Sequence, residues 1–380
     1  MGLIFAIIGI LSFIITLWQF RVALGFPLHR RLSGKAGFLP SLTIIKPVKG
    51  ADEFTARCLK SWFTQDYKGK MEVIFAVDSK EDPAFKVCSE LLKEFPEADA
   101  RIVVCAGRYG SNAKVSKLVE ITPLIKNQIV VVSDADVVAP SDLISGSIAL
   151  FEKDNTGLVC CFYTLANPQT FAMKWEAIAI NADFWSQVLQ AKSLKPINFA
   201  LGAVMMIERT ALEKIGGFKS VVDKLADDYW LGRLIYENGY RVELSPVVVE
   251  CFHPPTNWRD TFAHQLRWGR TIRVCEPVSY FFSILSNLTL WATLCLITNP
   301  ALSGIGFFVL AILTRCSTAA IYQKKLTKSP LKFYQIIMPP IKDLIHFLIW
   351  ILAFAGDTIE WRGKKYRVTK DGRMLACGNA

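Results

Sequence analysis

The sequence predicts an α/β domain on a mixed, mostly parallel sheet, with transmembrane helices at its N- and C-terminal ends. Three observations carry this. Between Ser41 and about Arg270, short continuous apolar runs alternate with helical stretches. Continuous rather than alternating apolar strands belong to a sheet covered on both faces. Apolar segments of near-membrane length flank this region on either side. The composition agrees: of 380 residues, 52% are hydrophobic and only 20% charged, with a mean hydropathy of +0.31. A soluble domain usually carries about 25% charge, and a disordered chain needs the opposite balance.

Leu3 to Trp18 is almost uninterrupted apolar sequence, closed by Gln19 and Arg21. A bilayer is spanned by about 20 apolar residues, so residues 1–23 read as an uncleaved anchor. A cleaved signal peptide is the rival; a basic n-region and a small-x-small cleavage site are both missing. His29, Arg30, Arg31 and Lys35 then place the downstream side in the cytoplasm. The α/β domain occupies 24–275. Its strands are expected at LTIIK (42–46), MEVIFAVD (71–78), RIVVC (101–105) and QIVVVS (128–133). Helices are expected at Thr55–Thr64, Ala84–Phe95, Ser111–Thr122 and Ser141–Asp154. In such sheets ligands bind outside the carboxyl ends of the strands.

The remainder, 276–380, turns apolar again. Ser279–Ile297 and Ala301–Tyr322 read as two spans joined at Asn299-Pro300, and Arg315 inside the second must face protein or snorkel. Lys324, Lys325, Lys328 and Lys332 return the chain to the cytoplasm. Ile336–Ala355 is broken by Pro339-Pro340, Lys342, Asp343 and His346. It reads as a re-entrant or interfacial segment, leaving the basic tail WRGKKYR (361–367) on the cytoplasmic side.

The net charge of +11 suits an anionic membrane surface and a phosphorylated substrate better than nucleic acid. Ten cysteines form no CxxC pair. That argues against zinc and for buried reduced thiols in a cytosol-facing protein.

Asp134 and Asp136 close the strand QIVVVS. Carboxylates at i and i+2 leave the pleat on one side, where both can reach one divalent cation or its phosphate ligand; Mg²⁺ and Mn²⁺ take one or two carboxylates plus substrate phosphates. A solvated turn is the bland alternative. Asp227-Asp228 precedes a helix in LADDYWLGRL. Two close carboxylates cannot both ionise freely, so one can acquire the raised pKa of a general base; an acidic helix cap is the alternative. His264, Arg267 and Trp268 sit beside the membrane entry. They offer a bidentate cation and an indole face, or simply an amphipathic interfacial helix. Gly110-Ser111-Asn112-Ala113-Lys114 starts a helix and can cradle an anion, though it is not a P-loop. Trp175–Leu189 mixes Trp and Phe with polar groups and reads as a lipid entrance or as a plain packed helix.

Together these motifs resemble family 2-like inverting glycosyltransferases of the GT-A fold, and more closely the ceramide glucosyltransferase group, family 21. Seven segments carry the resemblance in order: IIKPVKG (44–50), EDPAFKVCSELLKEFP (81–96), GSNAKVSKL (110–118), SDADV (133–137), LADDYWLG (225–232), HQLRW (264–268) and WRGKKYRV (361–368). Bacterial hopanoid-associated glycosyltransferases are similar around IGGF (215–218), LADDYWLG and LRWGRTIR (266–273). The sequence departs from the pattern in two places. VDSKEDPA replaces QDxxDPA, so either Asp78 or Asp82 meets the nucleotide, and His264 stands where Gln or Arg is usual.

The resemblance implies a mechanism. Lys46, Pro47, Asp78 or Asp82, and Lys114 would hold a UDP-hexose, with UDP-glucose favoured. Asp136 would bind Mg²⁺ or Mn²⁺, with Asp134 assisting at the nucleotide. Asp228 would deprotonate a lipid hydroxyl, with Asp227 as cap or supporting partner. Arg267 and Trp268 would steady the leaving diphosphate and border the acceptor channel; His264 would be accessory. The acceptor would be a membrane lipid in the bilayer, ceramide first and a hopanoid polyol second, and no nucleic acid is involved. The compartment would be a bacterial inner membrane, or the Golgi or ER of a eukaryote. A non-catalytic membrane scaffold fits less well, because a degenerate site would be free to lose Asp136, Asp228 and Arg267. A processive polysaccharide synthase would need more spans.

Overall fold

The computed structural model describes residues 2–32, 37–361 and 364–377. Lys35 of the basic cluster, and Arg362 and Gly363 of the WRGKKYR segment, lie outside these. Helix α1 (Gly2–Gly25) turns Gly9, Ser12, Thr16, Gln19 and Ala23 inward and leaves Leu3, Ile4, Ile7, Ile10 and Ile14 exposed. Small and polar residues therefore face protein and the branched aliphatics face outward, the pattern of a lipid-exposed helix.

The α/β domain alternates strand and helix as expected. Strand β1 (Leu42–Pro47) leads to α2 (Thr55–Lys60), β2 (Met71–Val77), α3 (Pro83–Glu94), β3 (Ala100–Val104), α4 (Ala113–Ile121) and β4 (Ile129–Ser133). Short β5 (Val137–Val138) and α5 (Leu143–Ser147) follow. Helices α2 and α5 are shorter than expected and continue as single 3-10 turns. The chain then adds β6 (Thr156–Leu165), α6 (Phe171–Ile178), a π turn over Ala179–Phe184, α7 (Trp185–Leu194), β7 (Val204–Glu208), α8 (Arg209–Lys214), α9 (Asp227–Glu237) and β8 (Arg241–Cys251).

The strand order is β3-β2-β1-β4-β7-β6-β8-β5. β1 pairs in parallel with β2 and β4, β2 with β3, and β6 with β8, while β7 runs antiparallel between β4 and β6. Adjacent residues enter opposite layers. Ile45, Ile74 and Val132 pack under α4 and α7, whereas Ile44, Phe75 and Val131 pack against Leu59, Trp62 and Leu91. Each face is thus covered, which is why the strands read as unbroken apolar runs. All ten cysteines are unpaired, and only Cys377 is exposed.

After the last strand of the large sheet come α10 (Trp258–Cys275), α11 (Pro277–Phe282), α12 (Leu288–Thr298), α13 (Leu302–Thr327), α14 (Phe333–Ile337) and α15 (Pro339–Phe354). Among the described residues, α1 and α13 are long and apolar enough to cross a membrane. The segment expected to span at Ser279–Ile297 is a bent pair of helices, Pro277–Ser286 and Leu288–Thr298, meeting at 54°. The break falls at Asn287, whose side chain caps α12 by accepting from Leu290 N at 3.0 Å. Helix α15 has 16 residues, about 24 Å at 1.5 Å per residue, short of the roughly 30 Å hydrocarbon core.

Helices α6 and α7 correct the expectation of a lipid entrance at Trp175–Leu189. Trp175 and Trp185 are fully buried, and the polar residues of this stretch are ties to the surrounding helices. Ser186 Oγ accepts from Gln19 Nε2 of α1 at 2.7 Å. Asp183 accepts from Arg315 of α13 at 2.9 Å and also pairs with Lys342 of α15. Arg315 reaches Asp343 at 2.7 Å, and Lys342 reaches Asp343 at 2.9 Å. None of these four side chains is more than 12% exposed. Arg315 therefore faces protein, as its cost in lipid demands.

The basic tail is a folded element. β9 (Thr358–Trp361), β10 (Lys364–Val368) and β11 (Met374–Ala376) form an antiparallel sheet, which seats Ile359, Val368 and Met374 on Leu225 of the α/β domain.

Removing one partner from a buried ion network leaves an uncompensated charge, at about 3–5 kcal/mol. Arg315→Met is expected to lose that much stability in thermal or denaturant unfolding of the detergent-solubilised protein. A melting curve equal to wild type would show that the network holds nothing together.

Candidate active site

The carboxyl ends of β1, β2 and β4 meet helix N-termini from α4 and α9, and the charged residues gather there. Lys46, from the end of β1, is fully buried. Its ammonium donates to Ser133 Oγ at 3.0 Å and to the Asp134 carbonyl, and lies 4.7 Å from the Trp62 ring. Burial pulls it down to about 8 against the pull of Asp136 and Asp134. Lys46 thus sits beneath the acidic turn and supports it, rather than projecting to a ligand. Pro47 ends the β1–β2 ladder opposite Ala76.

Lys114 occupies the centre. Its Nζ lies 2.8 Å from Asp134 Oδ1 and 3.2 Å from Asp227 Oδ2, with the side chain 14% exposed. Burial opposes its charge, but Asp134 and Asp227 hold the ammonium well above its usual range. The start of α4 is no anion cradle: Asn112 Oδ1 already accepts from Lys114 N and Val115 N. It is the lysine side chain, not the helix terminus, that carries the positive charge here.

Asp227 is not a cap either, since α9 has Ala226 at its N-cap and Asp227 in the first turn. Asp227 is instead committed to Lys114. Asp228 beside it is half-buried and accepts from Tyr229 N at 2.8 Å. Burial first and Asp227 second raise Asp228 to about 7, with Lys114 opposing. The pair has split into one carboxylate neutralised by an ammonium and one with a proton affinity near neutral pH, the division of roles that acid–base chemistry needs.

Asp136 lies 3.4 Å from His253 Nδ1, at the end of β8. Burial and the charge of Asp134 raise Asp136, while His253 and Lys46 oppose. Among the described residues no three His, Cys, Asp or Glu side chains could hold a metal alone. The donor set nevertheless fits a hard divalent cation that completes its shell with phosphate oxygens: two carboxylates in residual repulsion, with an imidazole beside them.

The open choice between Asp78 and Asp82 gains a physical basis. Asp82 caps α3 through Ala84 N at 2.9 Å and accepts from Gly50 N at 2.8 Å. Asp78 sits among cations: Lys117 at 2.9 Å, Lys49 at 3.0 Å and Arg108 at 3.6 Å. Burial opposes its charge, yet Lys117 and Lys49 hold it below the usual carboxylate range.

The α10 residues are distributed differently. His264 Nδ1 is 2.6 Å from Glu176 Oε1 of α6, which also accepts from Gln265 at 2.8 Å. Trp268 packs its ring 5.2 Å from His264, 5.8 Å from Phe184 and 6.5 Å from Tyr163. Arg267 lines a cleft between α10 and the C-terminal sheet. The structure therefore joins Lys46, Lys114, Asp134, Asp136, Asp227 and Asp228 in one centre. It gives Asp82, His264 and Arg267 other neighbours.

Sequence reasoning missed His253, Lys117, Glu176 and Gly202. His253 had a signal, its place just after an apolar run, but β8 was hidden by Pro246 and its bulge. Gly202 is read only from packing: a Cβ there would stand 2.7 Å from Asp228 Oδ2. The C-terminal sheet also contributes. Gly372 O accepts from Leu225 N at 3.1 Å, Met374 N donates to Asp223 O at 2.9 Å, and Met374 O accepts from Ser111 Oγ at 2.9 Å. It laces the loop before Asp227 to the loop before Lys114.

Comparison with known proteins agrees with this architecture. The model of glycosyl transferase family 21 matches residues 1–374. Ceramide glucosyltransferase 3 of Caenorhabditis elegans is 23% identical over 92% of this chain and 77% of its own length. The beta-monoglucosyldiacylglycerol synthase of a Nostoc species is 26% identical over 66% of this chain and 53% of its own. A Pyrobaculum calidifontis mannosyltransferase, solved with GDP-mannose and Mn²⁺, superposes with a TM-score of 0.53 at 18% identity, over 91% of this chain and 98% of that one. It shares the fold, the expected GT-A architecture. The chain belongs to glycosyltransferase family 21 and is a hexosyltransferase.

Gly202→Ala is expected to push the Asp228 carboxylate aside and lower kcat about 10²-fold, the cost of a roughly 1 Å misplacement, with the donor KM little changed. A variant with normal kcat would mean that Asp228 has room to adjust or no part in the reaction.

Proposed function

We propose that this family 21 enzyme transfers a hexose from a UDP-sugar, UDP-glucose favoured, to the hydroxyl of a membrane lipid, ceramide favoured, with inversion at the anomeric carbon. The observation that carries this is the split acidic pair, Asp227 held by Lys114 and Asp228 raised to about 7. A lipid hydroxyl is far too weak an acid to react unaided and needs a base in the transition state. Asp228 accepts its proton while the oxygen attacks the sugar, and the sugar–phosphate bond breaks to release UDP. Gly202 keeps that carboxylate in place by leaving it space.

Asp78, with Lys49 and Lys117, forms the nucleotide end of the site, and Lys114 with Asp134 lies between nucleotide and base. Asp136, with Asp134 and His253 at hand, would hold Mg²⁺ or Mn²⁺. When bound, the cation supplies charge neutralisation for the leaving diphosphate. Arg267 and Trp268 border the route from the membrane. Ceramide is favoured because the C. elegans ceramide glucosyltransferase matches over nearly the whole of this chain, whereas the Nostoc enzyme matches over two thirds.

Helices α1 and α13, each long and apolar enough to cross a membrane, support the reading of a multi-pass membrane enzyme. His29 bonds Leu326 O at 2.9 Å where α1 and α13 end, so both helices deliver the chain to the same side. The basic residues around those ends favour the cytoplasm for that side and for the α/β domain. Incubation with a panel of UDP-sugars and purified lipids, followed by mass spectrometry, tests donor and acceptor together. UDP-glucose with ceramide should give a hexosylceramide; product only from another lipid class would replace ceramide as the acceptor.

Asp228 must be deprotonated to act as base, so kcat/KM should rise with pH through about 7. Asp228→Asn is expected to bind donor yet lose 10²- to 10⁴-fold in turnover, about the general-base contribution. Asp227→Asn removes the repelling charge and should shift the rise to lower pH at a much smaller cost. The reverse pattern would exchange the two roles.

EDTA should abolish turnover, and Asp136→Ala should slow it about 10²-fold, a loss of ~2.7 kcal/mol. Full activity in EDTA would remove the metal from the account.

A further inference from the structure

Asp228 is held from a side that the acidic centre does not supply. The next residue in the first turn of α9, Tyr229, donates its backbone N–H to Asp228 Oδ1 at 2.8 Å. Its hydroxyl donates to Glu276 Oε1 at 2.9 Å, with Cys275 O beside it at 3.0 Å. Its ring stacks on Phe199 at 6.1 Å and 16°, three residues before the Gly202 that leaves Asp228 its space. Tyr229 therefore joins the candidate base, the segment that gives it room and the end of α10. A ring stack and a hydrogen bond to a carboxylate, the stronger kind of acceptor, act on one side chain.

Glu276 is suited to be the fixed end of that bond. It is the single residue between α10 and α11. Its N–H donates to Ile272 O and its carbonyl accepts from Tyr280 N, each at 2.8 Å. Its Oε2 lies 3.4 Å from Ser279 Oγ. Pro277 opens α11 with a preset φ, and Trp350 of α15 donates to Tyr280 O at 2.9 Å. The junction is thus braced by both its helices and by α15 before it leads into Val278, Phe281 and Phe282, the exposed start of the bent apolar pair. Helix α9 needs such a brace. On a helix of about 2.3 Å radius, a turn of about 25° carries a Cα by about 1 Å, and a misplacement of about 1 Å costs up to about 10²-fold in rate. We propose that Tyr229 and Glu276 are positioning residues for Asp228, fixing the rotation of α9 against the point where the chain enters its apolar segment. This rests on the reading of Asp228 as the base. Both residues act through α9 and not on the substrate.

The test is steady-state kinetics of the purified full-length enzyme in detergent with UDP-glucose and ceramide, alongside melting temperatures. Tyr229→Phe keeps the ring stack and loses the hydroxyl. It should lower kcat about ten-fold, part of the cost of a displaced base, with the donor KM unchanged. Glu276→Ala should do the same, and Glu276→Gln, which keeps an acceptor oxygen, should recover most of the loss. The double variant Tyr229→Phe with Glu276→Ala should be no slower than either single one, because both remove the same bond. Should Tyr229→Phe fold poorly, the comparison of Glu276→Gln with Glu276→Ala still decides. With Asp228→Asn slow in the same assay, three results would overturn the proposal: wild-type kcat in Tyr229→Phe, additive losses in the double variant, or a lowered melting temperature with kcat unchanged. Normal turnover by Asp228→Asn would instead overturn the reading of the base, and the proposal with it.

Discussion

A single ammonium group makes the rest of the site affordable. Lys114 lies within 3.2 Å of both Asp134 and Asp227, joining two acidic motifs that are almost a hundred residues apart in the chain. Without it, Asp134, Asp136, Asp227 and Asp228 would repel one another in a partly desolvated recess. Lys114 and the buried Lys46 leave four carboxylates against two ammonium groups, a formal charge of −2. That is the charge a divalent cation cancels, and it adds to burial, the larger cause, in raising the proton affinity of Asp136 and Asp228.

The same economy operates where the α/β domain meets the apolar helices. Asp183, on the π turn between α6 and α7, faces Arg315 and Lys342, and Asp343 closes the set. The four charges cancel, so polar residues can be buried between the domain and helices α13 and α15. A π turn redirects side chains within a helix, and here it coincides with the residue that must reach two neighbouring helices. Glu176 and Ser186, on either side, tie the same stretch to α10 and α1. The α/β domain that carries the acidic centre is thereby fixed relative to the apolar helices.

Much of this was legible in the sequence because burial on both faces leaves a plain mark. LTIIK, MEVIFAVD, RIVVC and QIVVVS each became a strand within a residue or so of the expected ends. The DAD turn was legible because acidic residues directly after such a strand stand where ligands bind. Other features depend on partners far along the chain. Nothing local distinguishes the role of Asn112, whose cap removes the expected anion cradle, or that of Asp227, which serves Lys114 rather than its own helix. The polar groups of Trp175–Leu189 suggested a lipid entrance because their partners, on α1, α10, α13 and α15, cannot be read from the segment itself. The bend at Asn287 was hidden by the apolar composition on both sides. The tail read as merely basic because its sheet is held by backbone bonds to residues 223 and 225, which composition does not reveal.

The central claim is that Lys114 sets the charge balance between the two acidic motifs. The pH dependence of kcat/KM for Lys114→Gln tests it most directly. Loss of the ammonium removes the one attraction that opposes burial and Asp227 at Asp228 from across the site. The rise in kcat/KM should therefore move to higher pH than in wild type, together with a lower plateau. A lower plateau with the wild-type pH profile would contradict the account, because it would make Lys114 a donor contact with no hold on the base.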